Sequence, residues 1–404
     1  MKIRVILLAS AVLLSGFLLS ACQTKSQHGH RHTAAKSIPH SEVATEEVGE
    51  EEVPVEKIAG LVIDLRNMPK LEEIIPELAK ARVVYVGEAH TTYGHHLNQL
   101  DIIQRLHELD PNVAIGMEFF QQPYQEYLDA YVAGAIDEKE MLRKTEYYTR
   151  WIYDYRHYQP ILRYARENGL PLIALNLPKE IIRKVATEGM DALSEHEKMQ
   201  IPAEIDDSDK VYRKRLEHIF SMHPRSDGRT FDNFLQVQLL WDEGMAERAA
   251  EYLELNPEKR LVVLAGIGHL EGGAGIPKRV TRRVPVESVI VLPGGTVDAR
   301  PGVSDFLLFP DDVKLPPKGV MGVMLDDKEG AFITGVFPES QAEKGGLKKN
   351  DIILSMDGIA IRDVADLKIH LLDKKPGDKV KLVVLRKRFF LDDAEISLEV
   401  ELGD

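Results

Sequence analysis

Between Leu61 and about Pro310 the chain alternates short, nearly uninterrupted apolar runs with long amphipathic stretches, and no other feature restricts its fold so strongly. A short run without polar alternation is a strand buried on both faces, while apolar residues three and four apart over a longer segment make a helix with one core-facing stripe. Their alternation is the pattern of βαβ units: an α/β fold with a mostly parallel sheet flanked by helices. Strands are expected at 82–86, 113–117, 172–175, 261–265, 288–292 and 306–309. Helices fill the intervals, among them 96–109, 161–168, 211–223 and 232–253. The aromatic-rich stretch 124–158 is too long for a simple crossover and is expected as a helical insertion over one face, the kind of addition that forms binding surfaces.

The 404 residues suffice for two or three domains. The formal net charge of -14 excludes a role dominated by nucleic-acid phosphates, which need clustered Lys and Arg. Pro310 to Pro317, with Asp311, Asp312 and its prolines, is the expected boundary, so an α/β domain is assigned to 58–310 and a small β-rich domain to 316–402.

Four expected strands run into polar residues foreign to a buried parallel sheet: Gly87-Glu88-Ala89-His90, Glu118, Asn176 and Gly266-Ile267-Gly268-His269. In an open α/β sheet the carboxyl ends of neighbouring strands face one crevice, so these side chains should converge. The glycines beside both histidines are expected to allow sharp turns and close approach to a ligand. His90, Glu118 and His269 match a divalent-metal ligand set with open positions, and a bound ion would supply a hydrolytic nucleophile, with Glu88, His90, Glu118 and His269 as the catalytic group. The same residues can instead position a planar cofactor through hydrogen bonds. Of His95 and His96, one is expected to face the crevice and the other water.

The chain starts with Lys2 and Arg4, an apolar run from Val5 to Leu19, and then Leu19-Ser20-Ala21-Cys22. Such a run ending at small residues is a secretory signal rather than a membrane span. Its ending resembles the bacterial lipobox, which implies a signal peptide over 1–21 and lipidation of Cys22, the only cysteine. A multiply acylated cysteine is a stable membrane anchor. Gln23 in place of Asp resembles the pattern for sorting to the periplasmic face of the outer membrane in a two-membrane cell envelope. Residues 22–57 are polar and acidic, a disordered tether of reach on the order of 30 Å. His28, His30 and His32 within it are solvated linker residues able to collect a metal ion.

The residues 83–100 (VVYVGEAHTTYGHHLNQL), Gly-Met-Glu-Phe at 116–119, the run 151–178 ending ALNLP, LLWDEGMAE at 239–247 and LAGIGH at 264–269 resemble the ChaN-like family of haem-binding uptake proteins. That family is similar in fold to the Tiki and TraB proteins and to erythromycin esterases. The resemblance implies a lipoprotein that binds haem in iron acquisition and can form a homodimer. In Tiki relatives a pair of Gly-x-x-His motifs, present here at 87–90 and 266–269, goes with metal-dependent peptidase activity. Haem iron takes His, Tyr, Met or Cys. With Cys22 given to lipid, the cofactor-binding candidates are Tyr147 and Tyr148 in the insertion and His218 and His223 on the helix near 211–223; Tyr153, Tyr155, His157 and Tyr212 stand beside them, and spacing does not choose the axial ligand.

Residues 318–387 carry Val320-Met321-Gly322-Val323-Met324, Ser340 to Asp357 (SQAEKGGLKKNDIILSMD) and Pro376-Gly377-Asp378, and resemble PDZ domains of the HtrA type. Gly322 is expected to turn loop amides toward a peptide carboxylate, the next strand to pair with the peptide, and Met321, Val323, Leu367 and Leu371 to form the apolar pocket beside a helix at 363–374. Asp351 is expected in a structural turn. Three functions follow: a haem or iron-uptake lipoprotein, a metal-dependent hydrolase or peptidase, and a non-catalytic envelope scaffold. A simple haem carrier does not require a PDZ module, so its presence points to a protein partner.

Overall fold

The structure, a computed structural model, describes residues 62–222, 230–387 and 392–404. The signal segment, Cys22, the tether and His223 lie outside the described residues. Among the described residues no helix is long and apolar enough to cross a membrane.

The strands, in chain order, are β1 (Val83–Glu88), β2 (Val113–Gln121), β3 (Leu172–Asn176), β4 (Arg260–Gly266), β5 (Ser288–Pro293) and β6 (Phe306–Leu308), followed by β7 (Val323–Asp326), β8 (Ala331–Val336), β9 (Asp351–Met356), β10 (Ile359–Ala360), β11 (Lys379–Arg386) and β12 (Ala394–Glu401). The helices are α1 (Leu71–Leu78), α2 (Tyr93–Leu109), α3 (Gln125–Val132), α4 (Glu138–Lys144), α5 (Tyr147–Arg150), α6 (Gln159–Asn168), α7 (Lys179–Glu188), α8 (Glu195–Lys198), α9 (Lys210–Ser221), α10 (Phe231–Leu255), α11 (Ile267–Leu270), α12 (Ile276–Arg283), α13 (Gln341–Lys344) and α14 (Val364–Leu371).

The first six strands form one parallel sheet in the order β3-β2-β4-β1-β5-β6, as the apolar runs predict. Because side chains alternate across a strand, Val84 and Val86 enter the core under α2 and the insertion, while Val83 and Tyr85 pack with Met245, Ala249 and Val280 of α10 and α12 on the other face. The stretch 124–158 is helical, as expected, and its Tyr131, Tyr147, Tyr155 and Tyr158 are core residues on the first of these faces.

The last strands form an antiparallel sheet, β12-β11-β9-β8-β7, with β10 beside β9. In that path β7 is an edge, paired only with β8. Asp351 is fully buried against Arg386, a structural role as expected. Helix α14 belongs to two cores at once. Leu367 is buried in the small domain, while Ile369 and Leu372 join the main core of the large one. Asp366 on the same helix holds Arg143 of α4 at 2.9 Å, and Lys368 lies over the Tyr148 ring at 5.6 Å. Asp373 reaches Arg163 at 3.2 Å, and Lys318 reaches Asp154 at 2.7 Å.

Candidate functional site

The carboxyl ends of β1, β4 and β2 are neighbours, with β3 beyond, so Glu88, Gly266, Glu118 and Asn176 come together as expected. Gly266 N donates to Glu118 Oε2 at 2.7 Å, and Asn176 Nδ2 donates to the Glu118 carbonyl at 3.0 Å. The motif glycines act by closeness rather than by turning. A Cβ on Gly266 would sit 3.1 Å from the His90 ring, and neither Gly87 nor Gly266 has positive φ.

Two imidazole–carboxylate pairs flank Glu118. His90 Nδ1 lies 2.6 Å from Glu88 Oε1. His269 Nδ1 lies 2.6 Å from Asp242 Oδ1, and the hydroxyl of Tyr212 donates to Asp242 Oδ2 at 2.6 Å. His269 Nε2 stands 3.5 Å from Glu118 Oε1. Burial alone would lower His269, but Glu118 and Asp242 outweigh it and push its pKa up to about 10. His90 is raised too, against burial, by its hydrogen bond to Glu88 and by Glu118. Burial would raise Glu118 and Glu88, yet the facing imidazoles hold both carboxyls down, His269 at Glu118 and His96 with His90 at Glu88. His96 brings Nδ1 within 2.6 Å of Glu88 Oε2, an ion-pair contact not aligned as a hydrogen bond, so this buried oxygen has no hydrogen-bond partner. Such an arrangement can hold a proton on either imidazole and exchange it with Glu118.

Phe119, Trp151, Tyr153, Leu177, Ile182 and Trp241 wall a cleft of ≈ 940 Å³, counting its open mouth, and Glu118 and Asn176 lie in its lining. The histidines stand behind these rings: His90 packs on Tyr153 at 4.6 Å and on Trp151 at 5.0 Å, and Trp241 meets His269 edge-on at 6.0 Å. Three cations, Arg150, Lys179 and Arg183, also line it.

Several expectations need correction. His90, Glu118 and His269 are brought together, but among the described residues no group of three or more His, Cys, Asp or Glu is placed to hold one metal ion. His269 Nε2 and Glu118 Oε1 instead face each other at 3.5 Å, as an ion pair rather than as two ligands turned to one point. Tyr147 is 1% exposed with its hydroxyl on the Tyr153 carbonyl, a core residue rather than a ligand. Tyr148 is half-buried beneath Lys368, and His218 is exposed on α9; none of the three lines the cleft. Neither His95 nor His96 faces water: both are buried, His95 accepting from Ala89 N. In the small domain Met321 and Leu367 are buried core, leaving Val323 and Leu371 half-buried along the edge of β7 and α14. Gly322 has φ 84°, and a Cβ there would meet Ser340 at 2.5 Å, so glycine is required in this loop.

Asp242 was not singled out from the sequence, and Tyr212 stood only among the haem candidates. The readable signal was an Asp-Glu pair inside an apolar helix: Asp242 and Glu243 are fully buried in α10, and buried carboxylates demand partners. Glu243 finds them in Arg279, Arg282 and Arg283.

The chain is 29% identical over 238 residues to Protein RETICULATA-RELATED 5, chloroplastic, of Arabidopsis thaliana, covering 54% of this chain and 31% of that protein. It is 42% identical over 62 residues to the periplasmic pH-dependent serine endoprotease DegQ of Escherichia coli (strain K12), covering 15% and 14% respectively. The matches thus span less than a third of either relative's length. A solved structure described as cofacial heme binding to ChaN of Campylobacter jejuni aligns over 58% of this chain and 89% of that one, with 18% identity and a TM-score of 0.48. Residues 319–402 match the PDZ domain family. Residues 74–280, which contain both Gly-x-x-His motifs, Glu118, Asp242 and the cleft walls, match the family described as haem-binding uptake, Tiki superfamily, ChaN, and the chain belongs to that family.

Proposed function

We propose that this protein is a lipoprotein of the cell envelope, anchored through Cys22 at the periplasmic face of the outer membrane, that binds haem in the Trp151–Trp241 cleft in the course of iron acquisition. The observation that carries the reading is the cleft itself. Its mouth is open, its walls are largely aromatic and aliphatic, and its cations match the carboxylate side arms of a tetrapyrrole. Haem, when bound, supplies a redox-active iron that takes an axial ligand from the protein. Tyr153 is the tyrosine on the cleft wall, and it replaces Tyr147, Tyr148 and His218 as the residue to hold the group. Trp151, Trp241 and Ile182 exclude water from its faces. The PDZ module takes a protein C-terminus or extended peptide along the edge of β7. A homodimer would follow the family resemblance.

A haemin titration of the full chain tests the first part. A saturable Soret band at fixed stoichiometry, altered in Tyr153→Phe, is expected; a featureless rise would sink the reading. Labelling with a radiolabelled fatty acid, lost in Cys22→Ala, tests the anchor, and fractionation of the membranes tests its place.

A second reading, acid–base hydrolysis at Glu118, is favoured by one observation: each flanking histidine has its Nδ1 fixed by a carboxylate, the device that orients a proton-donating imidazole. Turnover of ester or peptide substrates that is lost in both His90→Gln and His269→Gln would support it. Absence of turnover across such substrates would remove it.

A further inference from the structure

We propose that Arg183 and Lys179 form a carboxylate clamp at the rim of the cleft, fixing the anionic side arms of a flat apolar dicarboxylate; the inference rests on the haem reading above. The three cations of the rim are not equivalent. Arg150 is already satisfied by Glu146 at 2.9 Å, Glu180 at 3.0 Å and the Gln121 amide oxygen at 2.8 Å, and it lies over the Tyr124 ring. The Lys179 ammonium donates only to the Thr149 carbonyl, at 2.6 Å, and no carboxylate stands within ion-pair distance of it among the described residues. An ammonium has three protons to give, so donor capacity remains. Arg183 makes no side-chain hydrogen bond or ion pair among the described residues, and its guanidinium offers five N–H groups in a planar fork suited to a carboxylate.

The two side chains are four residues apart on α7 and therefore on one helix face. Burial, then Arg150 and Arg183, lower the proton affinity of Lys179 despite Glu180 and Glu146, the mark of positive charge crowded on one rim. This surplus occurs in a chain of net charge -14 and borders the apolar cleft wall. An amphiphile with an aromatic body and carboxylate arms answers both halves of that surface. The planar faces of Trp151 and Trp241 favour a conjugated ring over a flexible acyl chain.

The chain has two tryptophans and both line the cleft, so quenching of intrinsic fluorescence in the full protein reports occupancy directly. Four probes separate the possibilities: haemin, haemin dimethyl ester, iron-free protoporphyrin IX and oleate. The clamp predicts that haemin and protoporphyrin IX bind, that the ester binds roughly five- to tenfold more weakly, and that added salt narrows this gap. Arg183→Glu should weaken haemin by a similar factor while leaving the ester unchanged, and Arg183→Lys should restore part of the difference. Equal binding of acid and ester in the unsubstituted protein, with haemin unaffected by Arg183→Glu, would overturn the clamp and leave haem binding intact. Saturable binding of oleate without haemin would overturn the tetrapyrrole assignment, and no quenching by any probe would overturn both readings.

Discussion

A histidine held between two carboxylates keeps its proton far above the usual range, and His269, between Glu118 and Asp242, has that environment. Its pKa rises on folding, so the stability it contributes is fully present below the unfolded value near 6.5 and fades as pH climbs toward about 10. The imidazole Cε1 proton of His269 should therefore hold its imidazolium shift at pH 8 in an NMR titration, and Asp242→Asn should bring the midpoint down. A midpoint near 6.5 in the unsubstituted protein would contradict the geometry. Gly275 lies against the backbone of the same residue and its carboxylate partner: a Cβ there would collide with the His269 carbonyl and come 2.9 Å from Asp242 Oδ2. Backbone cannot retreat as a flexible side-chain tip can. Gly275→Ala should thus cost about 2–3 kcal/mol in urea unfolding and disturb the His269 resonance, whereas Gly268→Ala, where a Cβ meets nothing, should do neither.

At the scale of elements, the six strands of the large sheet were legible because a strand buried on both faces leaves an unbroken apolar run, as in Val83 to Val86. The convergence of Glu88, Glu118 and His269 was legible for a related reason, since polar residues at the ends of such runs have one crevice to enter. The axial-ligand candidates were not. Tyr147 and Tyr153 stand six positions apart with similar surroundings in sequence, and both join the same core, but past the short helix α5 only the second also lines the cleft. Helix α14 hid its second role because nothing in the spacing of Leu367, Ile369, Leu371 and Leu372 tells which of them pack in the small domain and which in the large one. That role gives a test. Ile369→Asp places an uncompensated charge in the large domain's core, costing more than about 3 kcal/mol. It should lower the thermal midpoint of the near-ultraviolet signal from Trp151 and Trp241, although the substitution lies in the PDZ module. An unchanged tryptophan transition would mean that α14 is not part of that core.

For the molecule as a whole, domains joined by a polar linker usually melt apart, because little apolar surface crosses between them. Here Ile369 and Leu372 cross, flanked by the Asp366–Arg143 and Asp373–Arg163 ion pairs. Calorimetry should show one transition whose van't Hoff and calorimetric enthalpies agree. Arg143→Ala with Arg163→Ala should begin to split it. Two well-separated transitions in the unsubstituted protein would refute the shared core. The same helix has a mechanical meaning. One side of α14 offers Leu371 beside the open edge of β7, while the other is bolted into the insertion that carries the cleft wall. A peptide gripped there is therefore presented at a constant bearing to the cleft, as a workpiece is in a jig, with no swivel between the two domains.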